Sequence, residues 1–266
     1  KLTDSATAGF SYEFDIDDVV MLNHHNFKLN ETVAEDVTLP SLIDGLNTID
    51  YRYEGSFPTF EKGASKEVAL SDDILTQSTY FDMMQHFIKD DDVLLAEQGT
   101  SFFGAYDLAL PKDMTFIGQP LWGSIGYTLP ATLGTQMADP NRRNILLIGD
   151  GSLQLTVQEL STMIRQDIKP IIFVINNDGY TVERLIHGME ETYNDIRMWD
   201  YKALPKVFGG NNVVVHDVKT SNDLQNVFDA INAAPEQLHF TEVTMKWDDA
   251  PAKLRDISKA FAAQNK

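Results

Sequence analysis

The segment 145–183 constrains the fold more than any other part of the chain. It contains an apolar strand, a Gly-Asp-Gly turn centred on Asp150, an amphipathic helix, a second apolar strand and a polar turn that includes Asn177. Strands that are joined through a helix run parallel, so their carboxyl ends lie at the same edge of the sheet. We therefore expect Asp150 and Asn177 to converge on one point.

Helical and strand-like patterns alternate from Ser71 to the C-terminus. This alternation predicts an α/β domain with a doubly wound, mostly parallel sheet and helices on both of its faces. Ser71 and Asp72 are expected to cap a helix that runs to about Lys89. A T-x-x-E capping box at Thr156–Glu159 is expected to start the helix that follows the Gly-rich turn.

The first part of the chain has a different pattern, with one weakly helical piece and too little apolar sequence to bury a core alone. Its short strand-like segments are Phe10–Phe14, Val19–Leu22 and Tyr51–Tyr53. We interpret residues 1–55 as the end of a domain whose beginning is absent, residues 56–70 as a linker and residues 71–266 as the main domain.

Composition excludes several classes of partner and chemistry. The net charge of -19 argues against nucleic-acid partners, which require basic surfaces. The absence of cysteine excludes disulfides, thiolate metal sites and a Cys nucleophile. No apolar run approaches the roughly 20 residues needed to span a bilayer, and the N-terminus lacks the apolar stretch of a secretory signal. A cytoplasmic location without a membrane partner is expected.

The Gly-Asp-Gly turn differs from a dinucleotide-binding fingerprint, because the third glycine position holds Gln154 and an acid lies between the other two glycines. A carboxylate repels a diphosphate unless a cation lies between them. Asp150, the Asn177 side chain and a backbone carbonyl of the following turn match the oxygen ligands of Mg²⁺, and the N–H groups of Gly151 and Ser152 could bind phosphate. The alternative is that both are ordinary turns.

Further motifs around these turns carry a family resemblance. The spacing of Gly149-Asp150-Gly151 from Asn176-Asn177 resembles the diphosphate-binding motif of thiamine diphosphate enzymes. Within that superfamily the chain resembles the 2-oxo acid decarboxylases, which act on indolepyruvate, branched-chain 2-oxo acids or pyruvate, and the likeness is weakest in residues 1–70. The additional matching segments are Glu97–Ser101, Gln119–Tyr127, Gly179–Glu183, Ile186–Gly188 and Tyr193–Ile196.

The resemblance implies roles for individual residues. Asp150, Asn177 and the Gly179 carbonyl would hold Mg²⁺, while the Gly123 carbonyl would bind the aminopyrimidine and Ile125 would bend the cofactor. The further cofactor contacts would be Thr100, Ser124, Gly151, Ser152, Tyr180 and Thr181. In such enzymes the thiazolium ylid attacks the 2-oxo carbon, CO₂ leaves and an aldehyde follows, with Glu183 handling protons.

The resemblance also implies which residues surround the substrate tail. These would be Gln98, Phe102, Val182, Ile257 and Phe261. If the last two line a pocket, its apolar surface favours branched or aromatic 2-oxo acids, whereas the periodicity alone fits core packing of one helix equally well. The pair His24-His25 lies in the poorly matching region, and we interpret it as an exposed loop.

The family pattern includes an N-terminal pyrimidine-binding domain that supplies a second glutamate, and no segment of this sequence matches it. The resemblance places residues 1–55 in the C-terminal part of the middle domain. Because the missing domain of one subunit normally meets this domain of another, a homodimer or homotetramer is expected, and the fragment alone should be inactive. Two alternatives remain: a carboligase or oxidase of the same superfamily, and a non-catalytic fragment that only binds diphosphate or partner subunits.

Overall fold

A six-stranded parallel sheet forms the larger part of the structure. In chain order its strands are β4 (Val93–Ala96), β5 (Thr115–Ile117), β6 (Asn144–Gly149), β7 (Ile171–Asn176), β8 (Val214–Val218) and β9 (His239–Thr244), and their spatial order is β5-β4-β6-β7-β9-β8. After β4 the chain first adds β5 on one side of it and then β6 on the other side, so the direction of winding reverses between β4 and β6. Such a reversal leaves a crevice at the carboxyl ends of the strands. The predicted doubly wound sheet is confirmed.

This computed structural model describes residues 15, 17, 19–23, 25–56 and 66–264. The chain divides into two units, Lys1–Glu61 and Lys62–Lys266. The described part of the first unit contains an antiparallel sheet of β1 (Val20–Leu22), β2 (Asn26–Leu29) and β3 (Thr32–Glu35), followed by helix α1 (Leu39–Leu46). The strand predicted at Tyr51–Tyr53 is wrong, since these residues have no regular secondary structure. Phe10–Phe14 lies outside the described residues.

The central strands are apolar throughout because both of their faces are covered. Along β6, Ile145 and Leu147 belong to one hydrophobic cluster, whereas Leu146 and Ile148 belong to the other. All four side chains are fully buried, and each such burial contributes about 1.5–3 kcal/mol. The alternation of side chains along a strand therefore explains how one short apolar segment supports helices on both sides of the sheet.

Helices of the second unit cover both faces of this sheet. They are α2 (Gln77–Phe87), α3 (Thr100–Ala105), α4 (Thr128–Ala138), α5 (Asp150–Thr156), α6 (Glu159–Arg165), α7 (Thr181–His187), α8 (Leu204–Val207), α9 (Ser221–Ala233) and α10 (Ala252–Gln264). Helices α2, α3 and α9 contribute to the first cluster, and α4, α5 and α6 contribute to the second. Helix α10 packs against α3 and α7, beside the carboxyl ends of the strands.

The start of α2 differs from the sequence-based expectation. The helix begins at Gln77, where the Thr76 side chain accepts a hydrogen bond from the Thr79 N–H, rather than after Ser71. The preceding residues are not helical because their backbone pairs elsewhere: the Ser71 N–H donates to the Ser221 hydroxyl, and the Leu75 N–H donates to the Lys219 carbonyl. Tertiary hydrogen bonds therefore override the local capping signal.

The predicted capping box at Thr156–Glu159 is also wrong. Helix α5 begins directly at Asp150, and Thr156 is its last residue. The Thr156 hydroxyl donates to the Gly126 carbonyl at 2.9 Å, so it connects α5 to the loop before α4 instead of capping α6. As a result the Gly-Asp-Gly turn passes into a helix without an intervening loop.

No helix among the described residues is long and apolar enough to cross a membrane.

Candidate functional site

The carboxyl ends of β4, β6 and β7 open into a cavity of about 500 Å³. Residues from the polar turns after these strands line one side, and apolar side chains line the other. The lining residues are Gln98, Gly99, Thr100, Phe103, Trp122, Gly123, Ile125, Gly149, Asp150, Gly151, Ser152, Asn177, Gly179, Tyr180, Thr181, Val182, Glu183, Ile186, Leu254 and Phe261. The cavity thus occupies the crevice that the strand order creates.

A larger cavity, of about 710 Å³, lies near the opposite edge of the sheet, beside the first residues of β8. The charged residues that line it are Asp167, Lys169 and Glu236, and none of them is buried. By contrast, the cavity at the carboxyl ends contains Asp150, which is only 1% exposed. Buried charge indicates a site built for a ligand more strongly than volume does, so we take the smaller cavity as the candidate site.

Asp150 connects the two polar turns through its carboxylate. Oδ1 accepts a hydrogen bond from the Gly151 N–H at 2.7 Å, and Oδ2 accepts from the Asn177 and Gly179 N–H groups at 3.2 and 3.1 Å. Burial raises the pKa of Asp150 to about 6, against the opposing effect of these hydrogen bonds. The predicted convergence of Asp150 and Asn177 is therefore present in the structure.

The turn after β7 depends on a glycine. Gly179 has φ +108°, a conformation that side-chain-bearing residues rarely adopt, and a Cβ there would lie 2.3 Å from the Asn194 carbonyl oxygen. The next residue, Tyr180, donates its N–H to the same oxygen at 3.1 Å, and its ring lies against Gly151. The two turns are therefore packed together without space for extra side-chain atoms.

Arg184 holds the turn after β7 in place through its hydrogen bonds. Its role was not predicted from the sequence. Its guanidinium is 3% exposed and donates to the Asp178 carbonyl at 2.7 Å and to Asp195 Oδ1 at 2.9 Å. It also lies over the Trp247 ring, 5.3 Å from the centroid. A signal was present, because Asp195 lies in one of the segments that carried the family resemblance.

Glu97 was likewise missed as an individual residue. It is fully buried at the end of β4, where Oε2 accepts from the Thr128 N–H and hydroxyl and Oε1 accepts from the Gln98 N–H. Burial raises the pKa of Glu97, while the hydrogen bonds from Thr128, Gln98 and Gly126 oppose that shift. This carboxylate therefore attaches the loop that carries Ile125 to the strand end that carries Gln98.

Glu183 lies in the first turn of α7 and lines the cavity. Its side chain is 47% exposed, and Oε2 lies 3.3 Å from His187 Nε2, one helical turn further on. The carboxylate thus has one oxygen close to the imidazole and remains accessible from the cavity. Such a group can accept or deliver a proton at the site.

Most of the predicted site residues line this cavity, but three do not. Ser124 is exposed beside Gly123, and Ile257 is half-buried on α10, which lines the cavity through Leu254 and Phe261 instead. Phe102 faces the core and lies against Phe116, with a ring-centroid distance of 6.0 Å, while the following residue lines the cavity. The lining residues that sequence reasoning missed are Gly99, Phe103, Trp122, Gly149, Ile186 and Leu254.

The oxygen atoms and N–H groups that line the cavity fit a hard cation together with an anionic group. No set of three or more His, Cys, Asp or Glu side chains within the described residues could hold a metal, so a cation at Asp150 requires amide and carbonyl oxygens as further ligands. Asn177 and Gly179, whose N–H groups donate to this carboxylate, carry an amide and a carbonyl oxygen and line the same cavity. A Cβ at Gly149 would meet nothing within 4 Å, so the cavity floor is open there. The Gly151 N–H, expected to contact a phosphate, donates to Asp150 instead.

Comparison with known proteins gives an independent result. A pyruvate decarboxylase of Aspergillus terreus is 43% identical over 220 residues, which cover 80% of this chain and 37% of that protein. An alpha-keto-acid decarboxylase of Mycobacterium tuberculosis is 45% identical over 193 residues, which cover 73% of this chain and 34% of that protein. The chain thus spans little more than a third of the length of these relatives.

A solved structure and a family model complete the comparison. The thiamine diphosphate-dependent 4-hydroxybenzoylformate decarboxylase of Rhodococcus jostii RHA1 has a TM-score of 0.63 over 79% of this chain and 40% of its own, at 23% identity, which shows a shared fold. Residues 99–241 match the family described as thiamine pyrophosphate enzyme, C-terminal TPP binding domain. This match confirms thiamine diphosphate as the cofactor of the family. The chain belongs to the thiamine pyrophosphate enzymes, and it carries their C-terminal, cofactor-binding domain.

Proposed function

We propose that this chain supplies the Mg²⁺- and diphosphate-binding half of a thiamine diphosphate-dependent 2-oxo acid decarboxylase, a carbon–carbon lyase that forms an aldehyde and CO₂. One observation carries the proposal. A single cavity brings Asp150, Asn177, Gly179 and Glu183 together within a family whose C-terminal domain binds thiamine pyrophosphate. The names of the two curated relatives, both decarboxylases of 2-oxo acids, support the same reaction class.

In this proposal the polar side of the cavity holds the diphosphate and its cation. Asp150 Oδ atoms, the Asn177 side-chain oxygen and the Gly179 carbonyl bind Mg²⁺, and Ser152 contacts phosphate oxygens. Buried carboxylate and amide oxygens beside open space are the ligands that Mg²⁺ prefers in combination with phosphate. Gly123, Ile125 and Thr100 lie along the remaining lining and contact the rest of the cofactor.

Glu183 is proposed to move protons beside the reacting carbon. When bound, thiamine diphosphate would accept the electron pair that is released when the bond between the 2-oxo carbon and the carboxylate breaks. Glu183 lines the cavity and keeps its carboxylate accessible, and one of its oxygens lies 3.3 Å from His187 Nε2. A proton held there can be delivered to the reacting carbon or withdrawn from it.

The apolar side of the cavity supports a preference among 2-oxo acids. Phe103, Val182, Ile186, Leu254 and Phe261 present hydrocarbon surface to the space beside Glu183. We propose a branched-chain or aromatic substrate such as indolepyruvate. Because one methylene in an apolar pocket changes transition-state binding by only about 1–3 kcal/mol, several related acids should be accepted.

The rest of the active site is proposed to come from outside the described domain. Trp122 lines the cavity and is 85% exposed, and it follows Leu121, which is 62% exposed. An N-terminal domain of a partner subunit in a homodimer or homotetramer would cover these two side chains. Residues 1–55 are proposed as part of a middle domain and residues 56–70 as a linker. The cytoplasmic location stays a prediction.

The cofactor proposal is tested by titration calorimetry of the chain with thiamine diphosphate, with and without Mg²⁺. We expect Mg²⁺-dependent binding that is lost in Asp150→Asn and retained in Asp178→Asn. Asp178 is a matched control, because it is an exposed acid in the same turn and does not line the cavity. If Asp150→Asn binds thiamine diphosphate and Mg²⁺ as tightly as Asp178→Asn does, Asp150 is not a ligand of the cation.

The reaction is tested with the chain joined to the N-terminal part of a curated relative. A branched-chain or aromatic 2-oxo acid should yield an aldehyde and CO₂, and Glu183→Gln should lower turnover by orders of magnitude without weakening cofactor binding. Acyloin or peroxide as the main product would favour a carboligase or an oxidase. Cofactor binding without any turnover would favour the non-catalytic alternative.

A further inference from the structure

Asn177 presents a chemical ambiguity at the cavity. Its side chain is 3% exposed and lines the cavity next to Asp150. The two ends of an amide are similar in shape, but only the oxygen can bind a cation, whereas the NH₂ group donates hydrogen bonds. The rotation of this amide therefore decides whether Asn177 attracts or repels a cation.

The hydrogen bonds of Thr181 resolve this ambiguity. The Thr181 hydroxyl has one hydrogen, and it donates that hydrogen to the Trp247 carbonyl at 2.9 Å. Toward Asn177, whose amide nitrogen lies 2.9 Å away, the same oxygen can then only accept. Asn177 must therefore direct its NH₂ group to Thr181, which leaves Oδ1 as the end that is available to a ligand.

The surroundings hold Thr181 in this position. Its side chain is 2% exposed, and it is the first residue of α7, so its backbone is fixed by the helix. A β-branched side chain also has restricted rotation about χ1. On the other side, the Arg184 guanidinium lies over the Trp247 ring, 5.3 Å from its centroid, and stabilises the segment whose carbonyl accepts the hydrogen bond.

We infer that Thr181 is a positioning residue that fixes the orientation of the Asn177 amide and thereby sets the affinity of the site for Mg²⁺. This inference rests on the proposed function, because it assumes a cation at Asp150 and Asn177. In this inference Thr181 does not touch the cation and acts on it only through Asn177. Hydrogen-bond partners of metal ligands commonly change metal affinity by about 10–100-fold when they are removed.

The test compares Thr181→Val, which keeps the shape and removes the hydroxyl, with Thr181→Ser, which keeps the hydroxyl. Mg²⁺ is titrated by calorimetry at a fixed, saturating concentration of thiamine diphosphate, and thermal unfolding is recorded without ligands. We expect Thr181→Val to raise the half-saturating Mg²⁺ concentration by about tenfold or more, and Thr181→Ser to stay within about threefold of the wild type. Equal Mg²⁺ affinities for Thr181→Val and the wild type would overturn the inference.

A double-mutant cycle with Asn177→Asp separates orientation from general destabilisation. A carboxylate presents an oxygen at both ends and cannot donate to Thr181, so it has no wrong orientation, and the loss of Mg²⁺ affinity caused by Thr181→Val should disappear or reverse in that background. A penalty of the same size in both backgrounds would show that Thr181 acts only through stability. Absence of Mg²⁺-dependent binding even when the chain is joined to the N-terminal part of a curated relative would overturn the proposed function and this inference together, whereas binding that is indifferent to Thr181 would overturn the inference alone.

A ligand-free readout gives a third arm. In the wild type and in Thr181→Ser, NMR should show the Asn177 side-chain NH₂ protons exchanging slowly with water, and the missing signal of Asn177→Asp identifies them. In Thr181→Val these protons should exchange about two- to tenfold faster, in proportion to the lost hydrogen bond. Unchanged exchange would show that Thr181 does not hold the amide.

Discussion

Gly179→Ala tests whether the turn after β7 is as tightly packed as its geometry indicates. The new Cβ would lie 2.3 Å from the Asn194 carbonyl oxygen, at a residue with φ +108°. Strained backbone of this kind costs about 1–3 kcal/mol when a side chain is present. Moving the oxygen by about 1 Å to reach van der Waals contact also breaks its hydrogen bond with the Tyr180 N–H, which contributes about 1 kcal/mol.

These contributions predict a loss of about 2–4 kcal/mol in the free energy of unfolding. The matched control is Gly134→Ala, the same chemical change at an exposed position inside α4, where a Cβ meets nothing within 4 Å. An alanine there should raise the free energy of unfolding by about 0.5–1 kcal/mol, because it lowers the conformational entropy of the unfolded chain.

The assay is urea denaturation followed by tryptophan fluorescence. The chain has 3 tryptophans, Trp122, Trp199 and Trp247, and all of them lie in the unit Lys62–Lys266. The signal therefore reports the unit that contains both glycines. A loss below about 1 kcal/mol for Gly179→Ala, with an unchanged dependence on urea, would refute the tight packing of the turn. A destabilising Gly134→Ala would refute the open environment assigned to that residue.

Three further variants test other contacts. Arg184→Lys should lose about 1–3 kcal/mol of unfolding free energy, because the shorter lysine cannot reach both acceptors of Nη2 and lacks the planar group that lies over Trp247; urea denaturation measures it. Glu97→Ala should lose about 2–4 kcal/mol by the same measurement and speed hydrogen exchange at Thr128, whose N–H loses its buried acceptor. Burial and the nearby His239 lower the pKa of His216 from 6.5 to about 4, so the His216 contribution to stability should fall by about 1–2 kcal/mol as pH drops through that window. Asp150 and Glu97, whose pKa values are raised, contribute with the opposite sign, so the measurement is the difference between the wild type and His216→Gln at each pH, which should change by that amount.

The segment around Asp150 was predictable because its information is local. An apolar strand, two glycines around an acid and a second apolar strand followed by asparagines leave few arrangements once the strands are parallel. The structure places the Asp150 carboxylate on the N–H groups of Asn177 and Gly179, as convergence at one sheet edge requires. The parallel sheet itself was predictable for the same reason, since alternating helices and strands permit little else.

The residues that support the site could not be derived locally, because their partners lie far along the chain. Glu97 accepts from Thr128, which is 31 positions away, and Thr181 donates to a carbonyl 66 positions away. The beginning of α2 was misplaced for a related reason, since the Ser71 N–H pairs with Ser221, 150 positions away. Contacts at such separations depend on which strands become neighbours, and capping preferences do not contain that information.

The two interpretations of the polar turns, ordinary turn chemistry and cation binding, turn out to be compatible. The Asp150 carboxylate already accepts hydrogen bonds from the backbone of both turns, so it stabilises their conformation without any ligand. The same burial that makes these hydrogen bonds effective also raises the pKa of the carboxyl to about 6, which shows that the charged form lacks full compensation within the protein. A divalent cation would supply the missing compensation. Asp150 therefore stabilises both turns through its hydrogen bonds, and in the proposed function the same carboxylate also binds the cation.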